Sequence, residues 1–193
     1  MNMYSNHNTK KRIRLREIAQ VLSGVYMKGN PTGEIAYLQV KDLLMLSPET
    51  TASRIEYTPK LDYYMLKKGD LLFAGKGTTY LCKEFNLDIL AVPSTTLYII
   101  RLQSKIISPE YLCWFLNHPS VVAAVKTVQA GTGTPLIHKP AIENLEIIIP
   151  DQKTQQLIVE LSTLQEREKE IIEAIAEKRM QITNQILINE LNK

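Results

Sequence analysis

The chain has 193 residues, 45% of them apolar and 22% charged, with a formal net charge of +3. That length supports one ordinary domain with its own core plus one extended element, and that balance excludes an intrinsically disordered chain. So small a net charge excludes attachment to nucleic acid through global charge alone and leaves it to the local placement of Lys and Arg.

The first ten residues, rich in Asn, Ser and Thr, read as a frayed leader. Residues 1–16 are polar and then basic, with no apolar run behind them, and nowhere do roughly 18 uncharged apolar residues follow one another, so a cytoplasmic chain without a membrane span is expected. Ile13 to Leu22 fits a short strand or helix, ended by Ser23-Gly24. From Tyr26 to Ile107 short apolar runs alternate with turn signals. Gly29-Asn30-Pro31-Thr32-Gly33 precedes Ile35-Ala36-Tyr37-Leu38-Gln39-Val40, and Ser47-Pro48 comes after it. Asp70 to Ala74 and Thr96 to Leu102 are rich in β-branched and aromatic residues, so this stretch predicts a mainly β core.

Ser108-Pro109-Glu110 opens a helix, with Ser at the N-cap and Pro at the first helical position, and Tyr111, Leu112, Trp114, Phe115 and Leu116 supply its buried face. His118-Pro119 breaks it, and a second short helix is expected from Ser120 to Val128. Gln129-Ala130-Gly131-Thr132-Gly133-Thr134-Pro135 is a loop, because two glycines and a proline in seven residues stop any regular element. Leu145 to Ile149 reads as a strand ended by Pro150, and Asp151 as the N-cap of the C-terminal helix.

From Lys153 onward there is no Gly or Pro, and Leu157, Leu161, Leu164, Ile171, Ile175 and Ile182 recur at helical spacing. The pattern predicts one helix of about 40 residues, roughly 60 Å long. A domain of this size cannot cover such a helix, so part of the stripe must meet a partner. With Leu157, Leu164, Ile171 and Lys178 at a, and Leu161, Glu168, Ile175 and Ile182 at d, a parallel pair sets Glu168 on Glu168 and Lys178 on Lys178. An antiparallel pair centred near Glu173 sets Glu168 on Lys178, Ile171 on Ile175 and Leu164 on Ile182, so an antiparallel two-helix homodimer is expected. The fold class implied is α+β: a mainly β domain with short helices over residues 1–151, then a long C-terminal helix over 152–193 forming an antiparallel coiled coil.

The chain carries no complete catalytic motif. Gly75-Lys76-Gly77-Thr78-Thr79 suggests a phosphate loop, but Gly69 lies one residue too far upstream and Gly77 stands where Ser or Thr would bind magnesium. Pro150-Asp151 resembles the start of a nuclease metal motif, yet no further carboxylate and lysine complete it. Neither a glycine-rich cofactor turn nor a proline-rich base-flipping loop is present for methyl transfer. His7, His118 and His138 are scattered, and Cys82 and Cys113 lack metal-ligand spacing, so no catalytic residue, metal or cofactor is expected and the thiols read as reduced.

Two polar loops remain, residues 75–80 and 129–139. Glycine lets the backbone approach a ligand closely while Lys, Gln, Thr and His supply donors and acceptors for phosphates and base edges. On composition alone, ordinary surface turns are the favoured reading of both.

The order Gly131-Thr132-Gly133-Thr134-Pro135-Leu136-Ile137, Leu145-Glu146-Ile147-Ile148-Ile149-Pro150 and Gln155-Gln156-Leu157-Ile158 before a long helix resembles the end of a target recognition domain in specificity (S) subunits of type I restriction-modification systems. Ile35-Ala36-Tyr37-Leu38 before Lys41-Asp42-Leu43, and Leu66-Lys67-Lys68-Gly69-Asp70-Leu71-Leu72-Phe73, are similar to the same family, so the resemblance runs from about residue 11 to 190. Members carry two recognition domains and two spacer helices, whereas this sequence has one of each and looks like a half subunit. The resemblance implies a non-catalytic subunit that reads one half of an interrupted site on double-stranded DNA, with paired helices setting the distance between readers. The partners it implies are methyltransferase (M) subunits docked on those helices and, where the complex also cleaves, a restriction (R) subunit. Candidate DNA contacts are Lys76, Thr78, Thr79, Gln129, Thr132, Thr134, His138 and Lys139, with Lys41 and Arg54 for phosphates. The alternative left open is an adaptor or regulator that binds no DNA and engages M or S subunits through its helix.

Overall fold

The computed structural model describes residues 11–30, 32–45, 47–75, 77, 79–127 and 136–192, and its contacts divide the chain into two units, Met1–Gln155 and Gln156–Lys193. In the first unit, β1 (Lys11–Arg14) pairs antiparallel with the last strand, β9 (Glu146–Ile149). The segment expected as one strand or helix is two strands around a 3-10 turn, Leu15–Glu17, where the Glu17 carboxylate accepts from the Arg14 N–H at 3.2 Å. After it, β2 (Ala19–Ser23) joins a four-stranded sheet in the order β2-β8-β5-β6, with β5 Asp70–Ala74, β6 Cys82–Phe85 and β8 Leu97–Leu102, all antiparallel.

The second sheet is three-stranded. Its central strand, β3 (Ile35–Leu38), pairs antiparallel with β4 (Ser53–Ile55) and parallel with β7 (Ala91–Pro93). All four residues of β3 are buried, because alternate side chains enter two different cores. Ala36 and Leu38 pack with Leu72, Ala74, Leu97 and Ile99 of the larger sheet. Ile35 and Tyr37 pack with Ile55, Leu61 and Val92.

The strand expected over Ile35–Val40 stops at Leu38. There the buried Asp42 accepts the Gln39 N–H at 2.8 Å and starts a single helical turn, α1 (Val40–Leu43). Ser47-Pro48, read as a turn, leads into a second short helix, α2 (Pro48–Thr51).

Ser108 caps α3 (Pro109–Asn117) as expected, its Oγ accepting from the Tyr111 N–H at 3.2 Å, and α3 packs on β6 and β5 through Tyr111, Leu112, Phe115 and Leu116. The next helix, α4 (Pro119–Thr127), begins one residue earlier than expected, since Pro119 sits at its start and the His118 carbonyl accepts from Val121 and Val122. A short helix the sequence did not announce, α5 (Lys139–Glu143), precedes β9. The loop expected from Gln129 to Pro135 lies outside the described residues.

Asp70 opens β5 and is buried, with a bidentate ion pair to Arg101: Nε to Oδ1 at 2.8 Å and Nη2 to Oδ2 at 2.6 Å. The same guanidinium donates to the Met65 carbonyl at 2.9 Å, and Asp70 Oδ2 accepts the Lys67 N–H at 2.8 Å. Gly69, at φ +84, makes that tight turn possible.

The last helix, α6 (Gln152–Leu191), is 40 residues long. Asp151 caps it, Oδ1 accepting from the Thr154 N–H and Oδ2 from its hydroxyl, both at 2.9 Å. Gln155, in the first unit, is buried and fully used: Oε1 accepts the Ser108 N–H at 2.9 Å, and Nε2 donates to the carbonyls of Ile106 at 2.8 Å and Pro150 at 2.9 Å. The rest of α6 forms the second unit. No described helix is long and apolar enough to cross a membrane.

Candidate nucleic-acid interface

The two polar loops singled out in the sequence meet. β5 runs out at Ala74, and Gly75 comes next with its N–H on the Thr96 carbonyl at 3.2 Å. Its carbonyl accepts the Ile137 N–H at 2.8 Å, which ties the first loop to the far end of the second. A Cβ at Gly75 would lie 2.2 Å from Cε2 of Tyr98, so only glycine lets the chain lie on that ring. Tyr98, on β8 opposite Phe73, is buried, and its hydroxyl donates to the Ile137 carbonyl at 2.9 Å. Burial pushes the Tyr98 phenol above its ordinary range, opposed by the backbone of Lys139, so at neutral pH it keeps the proton this bond needs.

A second contact joins the first loop to α4. The Lys126 ammonium, in the last turn of α4, sits 4.7 Å from the centre of the Tyr80 ring, a cation-π arrangement. Thus residues 75 and 80 are held against residues 137 and 126, one pair on each side of the intervening segment.

Among the candidate DNA contacts, Thr79 is half-buried beside Tyr80. His138, at the N-cap position of α5, is exposed, and Lys139 comes after it with an ion pair to Glu143 at 3.4 Å. Lys76, Thr78, Gln129, Thr132 and Thr134 lie outside the described residues. Lys41 is exposed on α1, the single helical turn that follows β3. Arg54, on β4, spends its guanidinium on main-chain carbonyls, Glu34 at 3.3 Å and Glu49 at 3.1 Å. That use suits a strand-anchoring role at least as well as a phosphate contact.

Sequence reasoning missed Tyr98, Tyr80 and Lys126. One signal was available for Tyr98: with Leu97 and Ile99 on one face of a strand, its hydroxyl falls on the other and needs a partner once buried.

Among the described residues, no group of three or more His, Cys, Asp or Glu side chains could hold a metal ion. Cys82 is buried at the start of β6, and burial, then the neighbouring Cys113, pushes its thiol well above the usual value. In the native protein at neutral pH, Cys82 should resist a maleimide that labels it fully in denaturant, since the thiolate is the nucleophile. Peptide mass spectrometry reads this directly, and rapid native labelling at Cys82 would contradict the burial.

On α6, the seam residues Leu157, Leu161, Leu164, Ile171, Ile175 and Ile182 are 47–63% exposed. Glu168 and Lys178 are exposed between them. The helix thus carries an apolar stripe over most of its length.

Three findings bear on the family. The model of the type I restriction modification DNA specificity domain matches residues 8–184. The type I restriction enzyme HindI specificity subunit of Haemophilus influenzae is 33% identical over 104 residues, a match that covers 51% of this chain and 22% of that subunit. Among solved structures, the fold is similar to the type I S subunit from M. genitalium, with a TM-score of 0.57, 16% identity and 88% of this chain covered against 42% of that one. It is also similar to the HsdS subunit from Thermoanaerobacter tengcongensis, with a TM-score of 0.63 and 16% identity over 86% of this chain and 40% of that one. A chain from a structure on complex assembly and conformational transition of the type I R-M system gives 0.68 at 17% identity, covering 95% of this chain and 44% of its own. The chain therefore spans less than half the length of each of these relatives. A family match over residues 8–184, on a fold these S-subunit structures share, makes the chain a member of the type I restriction-modification DNA specificity family.

Proposed function

We propose that this chain is a non-catalytic DNA-recognition element that reads one half of a bipartite duplex site, its two glycine loops facing the DNA. The observation that carries this reading is the junction of those loops at Gly75 and Ile137, in a chain matched almost throughout to a DNA specificity domain. Glycine-rich backbone with hydroxyl, imidazole and ammonium groups beside it suits phosphate and base-edge contacts. Methyl transfer and cleavage are then the work of M and R subunits.

Binding to a pool of random duplexes, followed across a salt series, tests the DNA assignment. With about six phosphates neutralised, affinity should fall by roughly a thousandfold between 50 and 200 mM salt. Absence of binding at low salt, or a flat series, would instead favour the adaptor that engages M or S subunits through α6, the reading to which its exposed apolar stripe also lends support.

The second part of the proposal is an antiparallel homodimer through α6, which would present two readers to a two-fold symmetric, interrupted site. Its support is the pairing of charge: registering the two helices about Glu173 neutralises Glu168 with Lys178 of the second copy and buries Ile171 on Ile175 and Leu164 on Ile182. Farther out, Leu161 meets Gln185 and Leu157 meets Asn189, so the apolar contact is concentrated in the middle of the helix. Cysteines placed singly at residues 171 and 175 should cross-link to one another when the two variants are mixed. Cross-links formed only between identical positions would point to parallel pairing.

A further inference from the structure

Lys126 is exposed, and its charge is not neutralised within the described part of the domain. Its helix, α4, contains no acidic residue, and among the described residues no carboxylate comes within ion-pair distance of it, whereas Arg12, Lys68, Arg101 and Lys139 each have one. What holds the ammonium is the Tyr80 ring, whose centre is 4.7 Å away. The ring attracts the cation through its quadrupole without cancelling the charge, and the N–H groups turned away from it can still donate.

Tyr80 fixes where that charge sits. Phe73 pairs with Cys82, and the Ala74 N–H donates to the Leu81 carbonyl at 2.8 Å, so Gly75 and Tyr80 face each other where β5 and β6 part. The Gly75 carbonyl also accepts the Ile137 N–H at 2.8 Å, which brings the exposed His138 and the following Lys139 to the same end of the hairpin. Lys126 thus adds a cation near two candidate DNA contacts. Resting on the ring also restricts its long side chain in advance, which lowers the entropy lost when a ligand arrives.

We propose that Lys126 is a further contact to the DNA backbone, donating to a phosphate oxygen, and that Tyr80 is the positioning residue that presents it. The inference deepens the DNA assignment above and rests on it. An ammonium acts on phosphate as a point charge, and such a contact carries no sequence information. Its contribution should therefore depend on salt and be the same on every duplex.

The test compares Lys126→Gln with Lys60→Gln. Lys60 is also exposed, but it lies in the turn Pro59–Tyr64, which packs through Leu61 on the other core, so its variant controls for the loss of one positive charge anywhere on the domain. The probes are a duplex selected from a random pool by the unaltered chain and a scrambled duplex of the same length, each titrated across a salt series. K126Q should make the slope of log affinity against log salt shallower by about 0.9, one phosphate's worth, and should weaken binding to both duplexes by the same factor. K126R, which keeps the charge, should restore the slope, and K60Q should leave it unchanged. Tyr80→Leu should weaken binding about threefold, the size of an exposed cation-π contact, while Tyr80→Phe, which keeps the ring, should match the unaltered chain. An unchanged slope in K126Q, an equal change in K60Q, or a loss confined to the selected duplex overturns the backbone contact, and full affinity in Y80L overturns the role of Tyr80. Failure of the unaltered chain to bind either duplex at low salt overturns instead the DNA assignment beneath the inference.

Discussion

Replacing Asp70 by alanine should cost the domain about 3 kcal/mol, near the lower end of what breaking a buried ion pair entails. The Asp70 side chain is 3% exposed and that of Arg101 22%, so a guanidinium deprived of its partner has only partial access to water. The loss is compounded at the turn, where the Lys67 N–H would lose the carboxylate that accepts it. Urea denaturation should register the change as a lower midpoint at unchanged slope, and a thermal melt should drop by roughly 10 °C. Substituting both partners together, as Asp70→Leu with Arg101→Met, should return most of the loss, since no charge is then left buried. A penalty below about 1 kcal/mol for D70A would mean that the pair behaves as a surface bridge.

Reversing the charge at Glu168 should weaken the proposed homodimer by roughly thirtyfold or more, about 2 kcal/mol. Two-fold symmetry makes the substitution act twice: each of two Glu-Lys contacts becomes Lys-Lys, and each is worth about 1 kcal/mol at an exposed seam. The double exchange E168K with K178E restores opposite charge across the seam and should recover dimerisation in sedimentation equilibrium. Parallel helices respond differently. There, Glu168 already faces its own copy, so E168K trades one repulsion for another and the double exchange rescues nothing. Insensitivity to both variants would remove the charge argument for orientation.

Elements specified by neighbouring residues were legible in the sequence. Ser108-Pro109, Asp151 and the proline at 150 act within one turn, and the helical apolar spacing after Lys153, with no Gly or Pro to break it, points to a helix. By contrast β4, β6 and β7 are three or four residues long and exist because partner strands supply their hydrogen bonds, so no local pattern announces them. The same distinction applies to the candidate interface. Glycine, threonine and lysine made the loops conspicuous one at a time. Their union depends on Tyr98 reaching Ile137, 39 positions away, and such a tie leaves no periodicity to read. Arg54 is a further case: its type suggests phosphate, and its additional use, on the main-chain carbonyls of Glu34 and Glu49, has no local pattern to announce it.

The burial of β3 on both faces bears on how the domain opens to solvent. A strand shared by two cores cannot leave one without stripping the other, so the amides of Ala36, Tyr37 and Leu38 should exchange with deuterium only through global unfolding, among the slowest in the chain. Sub-global excursions are then confined to the periphery, and the domain can tolerate change in its surface loops without lowering the barrier that protects its centre.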